Sequence, residues 1–128
     1  MKAATRDWVD KAEADYAAAL VLRRSRKKGT RDIVCFHLQQ CIEKYLKARL
    51  IIEAGISFPR THDLERLLDL TLPVEPMWAA LRPAMALLTD FAVAVRYPGR
   101  SAGPADARVL LRVTAHARDL IRQRLGLH

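Results

Sequence analysis

Chain-breaking residues are few in this sequence. Five Gly and six Pro occur in 128 residues, and they gather at a handful of points. The intervals between them are long enough for helices and argue against a turn-rich β-protein. Cysteine is nearly absent, with Cys35 and Cys41 the pair. Six positions apart on one helix, they stand roughly 9 Å apart along its axis, beyond the about 7 Å that a disulfide tolerates. They read as small buried hydrophobes. No uninterrupted apolar run approaches the ~18 residues of a membrane span. The opening Met1-Lys2-Ala3-Ala4-Thr5-Arg6-Asp7 lacks the apolar core of a signal peptide. A cytoplasmic protein with no membrane contact is expected. Internal repeats and low-complexity tracts are missing too. The four histidines do not pair at i, i+4 with each other or with carboxylates, so no metal site and no cofactor is indicated.

Acidic residues fall short of basic ones, 14 against 22, for a formal net charge of +8 and a sequence pI of about 10.1. Such a surplus attracts polyanions: nucleic acid, nucleotides or an acidic protein. It also serves plain solubility. What is abundant is apolar, at 51% hydrophobic residues, enough for one globular domain spanning residues 1–128.

The pattern predicts an all-α, antiparallel up-down four-helix bundle with one additional short helix. The first helix runs from Arg6 to Lys27. Asp7 and Asp10 favour its start, and Trp8, Ala12, Tyr16, Ala19 and Leu22 face inward. Arg26, Lys27 and Lys28 suit its carboxyl end, and Gly29 its αL cap. Thr30 caps a second helix that reaches Glu53 and stops at Gly55. Val34, Leu38, Cys41, Tyr45, Ala48 and Ile52 form its apolar face. Gln39, Gln40, Glu43, Lys44 and Lys47 form its polar edge. After a linker over residues 56–60, Thr61 caps a short helix from Asp63 to Leu70, with Leu64, Leu67 and Leu68 inward. A fourth helix spans Pro76 to Val95, with a kink or a locally opened turn near Ala79 imposed by Pro83, and with Met77, Leu81, Met85, Leu88, Phe91, Ala92 and Val95 buried. Residues 96–103 form a loop. Pro104 opens the last helix, which ends near Leu125 and turns Val109, Val113, Ala117, Leu120 and the stem of Arg124 inward.

Four landmarks fall in order along the chain. Ala12, Asp15, Tyr16 and Ala19 mark the first helix. Phe36, Gln39, Gln40, Glu43, Lys44, Leu46, Lys47 and Ala48 mark the second. Thr61-His62-Asp63-Leu64 opens the short helix, and Arg96-Tyr97-Pro98 precedes the last. On these residues the chain resembles the HEPN domains, over nearly its whole length. The resemblance implies a helical bundle, commonly homodimeric, often encoded beside a minimal nucleotidyltransferase in a toxin–antitoxin-like pair. It also implies that some relatives are metal-independent ribonucleases. Those enzymes carry an Arg and a His with four to six residues between them. The imidazole exchanges a proton with the ribose or leaving oxygen, and the guanidinium holds the phosphate. Here Arg96 is followed at that spacing by Ser101, Ala102 and Gly103. Arg31 and His37 satisfy the count, but six helical positions turn through about 600° and leave the two side chains ~240° apart. Arg122 and His128 satisfy it at the chain end. Both read as chance matches.

The expected function is therefore a non-catalytic binding module, a partner of a nucleotidyltransferase-type protein or a binder of nucleotide or RNA phosphates. Arg96, Tyr97, Gln40, Glu43, Lys44, Lys47 and His62 are its candidate binding residues. The alternative is a ribonuclease using Arg96 with a histidine from elsewhere, such as His62 or one from a second subunit. For each candidate a plainer role competes. Glu43 and Lys47 form an i, i+4 pair on a solvated face, or line a cleft or a dimer face with Lys44. His62 bonds near its helix start or meets a phosphate with Arg60. Arg96 bonds helix-end carbonyls or a ligand, and Pro98 restricts Tyr97 beside it. Asp15 pairs with a basic residue of the neighbouring helix. His37 and His116 are core histidines. The run Arg23, Arg24, Arg26, Lys27, Lys28 and Arg31 complements the helix end or binds phosphate, without aromatics interleaved for stacking.

Overall fold

The computed structural model describes residues 1–52 and 58–127, and for Ile51 and Ile52 the backbone alone. The expected stop at Glu53 and Gly55, the linker residues 56 and 57, the Ile52 side chain and His128 lie outside the described residues. The chain is an all-α antiparallel bundle: α1 (Ala3–Leu22), α2 (Thr30–Ile52), the short α3 (Leu64–Thr71), α4 (Arg82–Ala94) and α5 (Pro104–Arg124). Two linked contacts set the direction of α5. Ala102, just before it, meets Asp32 at the start of α2, and Arg122 near its end reaches Tyr45. α5 therefore runs parallel to α2. In an up-down bundle such helices are diagonal, and here they pack directly on each other. α2 is the hub, touching α1, α3, α4 and α5.

That position explains its composition. Val34, Leu38, Cys41, Ile42, Tyr45, Leu46, Ala48 and Leu50 are all buried, as core neighbours on several sides require. Leu64, Leu67 and Leu68 seat α3 as expected, and Ala12 and Ala19 bring α1 close. Both cysteines are free and buried, and burial pushes the Cys35 thiol up to about 11 and that of Cys41 further.

Several boundaries differ from the expectation. α1 starts at Ala3, so Asp7 and Asp10 fall past its first turn, and it ends at Leu22 rather than Lys27. The basic residues beyond Leu22 are thereby loop, and Gly29 takes its positive φ of 83° within that loop. Thr30 opens α2, but its hydroxyl meets Ser25 Oγ at 3.3 Å. Asp63, not Thr61, caps α3 by accepting from the Glu65 N–H at 3.0 Å. The fourth helix is two pieces, a 3₁₀ turn (Pro76–Leu81) and α4. A proline inside one helix would orphan the carbonyl of Ala79. Restarting at Arg82 puts Pro83 where no N–H is needed, and the Arg82 N–H takes the Ala79 carbonyl. Met77 is consequently 85% exposed rather than buried. In α5 the buried stripe is Ala107, Leu110, Thr114, Ala117 and Ile121, so Val109 points outward and Arg124 reaches Glu75. The stretch Pro76–Ala94 has the length and mean hydropathy, 1.2, of a membrane span. Counting uninterrupted apolar runs passes over it, because Arg82 and Asp90 break it. Its α4 part packs on α2, α3 and α5.

Candidate functional site

Two polar regions stand out, both built on α2. The first is the seam between α2, α1 and the segment entering α3. Sequence periodicity puts Gln39, Glu43 and Lys47 on an edge that faces either water or a partner, and in the fold all three are buried. The reason is geometric. α1 and the residues before α3 close over this edge, so each polar group finds a protein partner. Glu43 Oε2 accepts from Lys47 Nζ at 3.1 Å, and its Oε1 lies 2.7 Å from His62 Nδ1. A carboxylate only accepts, so Nδ1 carries the proton. Gln39 donates to the His62 carbonyl at 2.7 Å, and Gln40 donates to Gln39 at 2.8 Å. The Lys47 ammonium stands 5.5 Å from the ring centres of both Trp8 and Phe58, which meet edge to face. Both rings stabilise the cation through their faces.

Higher on the same face, Asp15 accepts from Lys44 at 2.5 Å and from His37 at 2.8 Å. The expected Asp15 partnership is thus met, and His37 is a half-exposed partner of a carboxylate rather than a core residue. His116 is exposed, against expectation. Behind α2, Tyr45 donates to Glu13 at 2.6 Å and accepts from Arg122 at 2.9 Å, while Arg118 clamps Glu13 through two nitrogens. Burial alone would raise the Glu13 carboxyl, but the bonds from Arg118 and Tyr45 outweigh it and hold it below its ordinary value. Burial, with Glu13 adding to it, pushes the Tyr45 phenol up. These groups are committed to one another and hold helices together.

The second region is different. A cleft of about 640 Å³ opens where the α1–α2 loop meets the loop after α4. Arg26, Lys27, Lys28 and Arg31 line one side, Arg96 and Arg100 the other, with Tyr97 at the rim. Among the described residues none of these six cations is in an ion pair. The cleft's carboxylate, Asp32, is occupied by the Ala102 N–H at 2.7 Å. Backbone bonds hold the second loop in place: Arg96 N–H to Val93, Tyr97 N–H to Ala94 and Arg100 N–H to Tyr97. The Arg96 side chain bonds no helix-end carbonyl among the described residues. Sequence reasoning named Arg96 and the basic run separately; their convergence appears only when the α1–α2 loop folds beside the α4–α5 loop.

No histidine lines the cleft among the described residues. His62, 67% exposed, sits at the level of Glu43, whereas the cleft sits at Asp32. Eleven helical residues separate those levels by roughly 16 Å. Within one chain, then, Arg96 and His62 do not share a site. Of the expected binding residues, Arg96 and Tyr97 meet here, and Gln40, Glu43, Lys44, Lys47 and His62 belong to the seam. No group of three or more metal-ligating side chains forms among the described residues.

The class these features define is an all-helical domain with a satisfied polar seam and an open cationic cleft at one end of its central helix. The chain belongs to the HEPN domain family, whose model matches residues 5–123. It is similar to the crystal structure of TT1696 from Thermus thermophilus, with a TM-score of 0.68 at 23% identity, over 93% of this chain and 96% of that one. At that identity the likeness concerns the fold. No curated protein matches the sequence.

Proposed function

We propose that this HEPN-family domain is a cytoplasmic, non-catalytic binding module whose basic cleft holds the phosphates of a nucleotide or RNA. One observation carries the reading: six unpaired cations converge on one cleft that holds no imidazole among the described residues and whose carboxylate, Asp32, accepts from the Ala102 N–H. Phosphate recognition needs convergent positive charge. Cleavage by the family's ribonuclease route also needs a proton carrier beside the arginine. The seam's groups already satisfy one another, so the seam supports the helices and the cleft takes the ligand. We further propose that the module works as a homodimer beside a nucleotidyltransferase-type partner in a toxin–antitoxin-like system; co-purification with the product of an adjacent gene tests that part.

The test of the main reading is titration of fluorescent single-stranded RNA and of nucleotides across a salt series. Binding is expected to weaken steeply with salt, and Arg96→Ala to weaken it about tenfold, the scale of one charge-assisted contact. Binding insensitive to salt and to Arg96→Ala sinks the reading. Metal-free RNA cleavage that Arg96→Ala or His62→Ala abolishes would replace it with the ribonuclease alternative.

A further inference from the structure

The cationic cleft has a neighbour. A second cleft, of about 480 Å³, is lined by Asp90, Val93, Ala94, Tyr97, Pro98 and Arg100. Asp90, Val93 and Ala94, at i, i+3 and i+4, share one face at the end of α4, and Tyr97 follows in the turn beyond it. Tyr97, Pro98 and Arg100 line both clefts and form the wall between them.

The two linings differ in chemistry. Six cations define the first. The second offers Val93, Ala94, the Pro98 ring and a Tyr97 ring that is 64% exposed, together with one carboxylate. Apolar side chains and an aromatic ring suit a flat heterocycle. Asp90 makes no ion pair and no hydrogen bond among the described residues, so both of its oxygens are open. A carboxylate of this kind accepts only. Guanine presents two adjacent N–H donors, at N1 and the exocyclic amine, to such a pair of oxygens. Adenine presents the N1 lone pair beside its amine, and cytosine the N3 lone pair. Uracil flanks its single N–H with carbonyls. A carboxylate facing any of these three meets an acceptor.

We propose that the protein binds a guanine nucleotide, its phosphates in the cationic cleft and its base in the adjoining cleft, where the Asp90 carboxylate accepts from the N1–H and the exocyclic amine. This assignment rests on the phosphate-binding reading above and adds the identity of the base. Tyr97 and Arg100 stand at the junction, where the sugar would cross.

Calorimetric titration of the full chain with GTP, ATP, xanthosine triphosphate and inorganic tripolyphosphate tests it. The wild-type protein is expected to bind GTP about tenfold or more tightly than ATP or tripolyphosphate, the scale of a hydrogen bond to a charged acceptor. Asp90→Asn keeps the side chain's size but offers one donor and one acceptor. That pair fits the C2 carbonyl and N1–H of xanthine. The variant should lose the preference for GTP, prefer xanthosine triphosphate by about tenfold, and bind tripolyphosphate as before. Asp90 is exposed on α4, so the circular dichroism of the variant should match wild type. Equal wild-type affinity for GTP, ATP and tripolyphosphate overturns the base assignment and leaves the phosphate reading standing, as does an Asp90→Asn variant that still prefers GTP. Failure of all four ligands to bind overturns the guanine-nucleotide assignment, and the RNA titration above then decides the phosphate reading by itself.

Discussion

Lys47 sits inside the protein with 10% of its side chain exposed. The reason is local: Glu43 supplies the counter-charge and two aromatic faces replace water. A buried pair of this kind costs more to break than to replace. Glu43→Ala is expected to lower stability by about 3 kcal/mol, because it strands the Lys47 ammonium. Glu43→Leu combined with Lys47→Met should recover most of that loss. Urea denaturation measures both, and a double variant no more stable than the single would contradict this account. Glu13 yields a pH prediction. Its folded value is depressed, so its contribution is present above the unfolded value of about 4.3 and is lost as pH falls through the lower folded value. Glu13→Gln should therefore flatten the decline of Tm below about pH 4.3. Calorimetry over that range decides, and an unchanged slope counts against it.

At the scale of elements, the phase of α5 separates two readings of one sequence. Apolar residues sit at Val109, Val113 and Leu120, but also at Leu110 and Ile121, with Ala117 common to both, so the helix offers two stripes about one position apart. Packing against α2 selects the second, and Thr114 completes it. Leu110→Ala should cost about 2–5 kcal/mol, while Val109→Ala should stay within about 0.5 kcal/mol. Denaturation midpoints that reverse this order would restore the first stripe. The early end of α1 has a comparable origin. Residues 23–29 are too polar to share its buried face, and the loop they form carries charge to the cleft.

For the whole molecule, folding and binding make opposite demands on the cleft. Like charges gathered at one end repel, and Asp32 offsets part of that repulsion while anchoring the Ala102 N–H. Asp32→Asn keeps the hydrogen-bond geometry and removes the charge. Nucleotide affinity should rise about threefold and stability fall by about 1 kcal/mol. Titration and thermal melts on the same sample test the opposed signs; a change of both in one direction contradicts the argument.

What the sequence by itself determined is the helical class, the order of the elements, the buried leucines of α3 and the apolar face of α2. These follow from periodicity and from where Gly and Pro fall, which are local properties. Arg96 and Tyr97 were legible as candidates because the residues around them carry the family's pattern. The tertiary structure alone decided which polar residues are spent inside and which are free. Glu43 and Lys47 lie on a helix edge that looks solvated until α1 and the segment before α3 cover it. Arg26 through Arg31 look like a helix end until the chain folds them against Arg96. Burial and charge convergence depend on residues about 20 to 70 positions apart, and no local pattern encodes that distance.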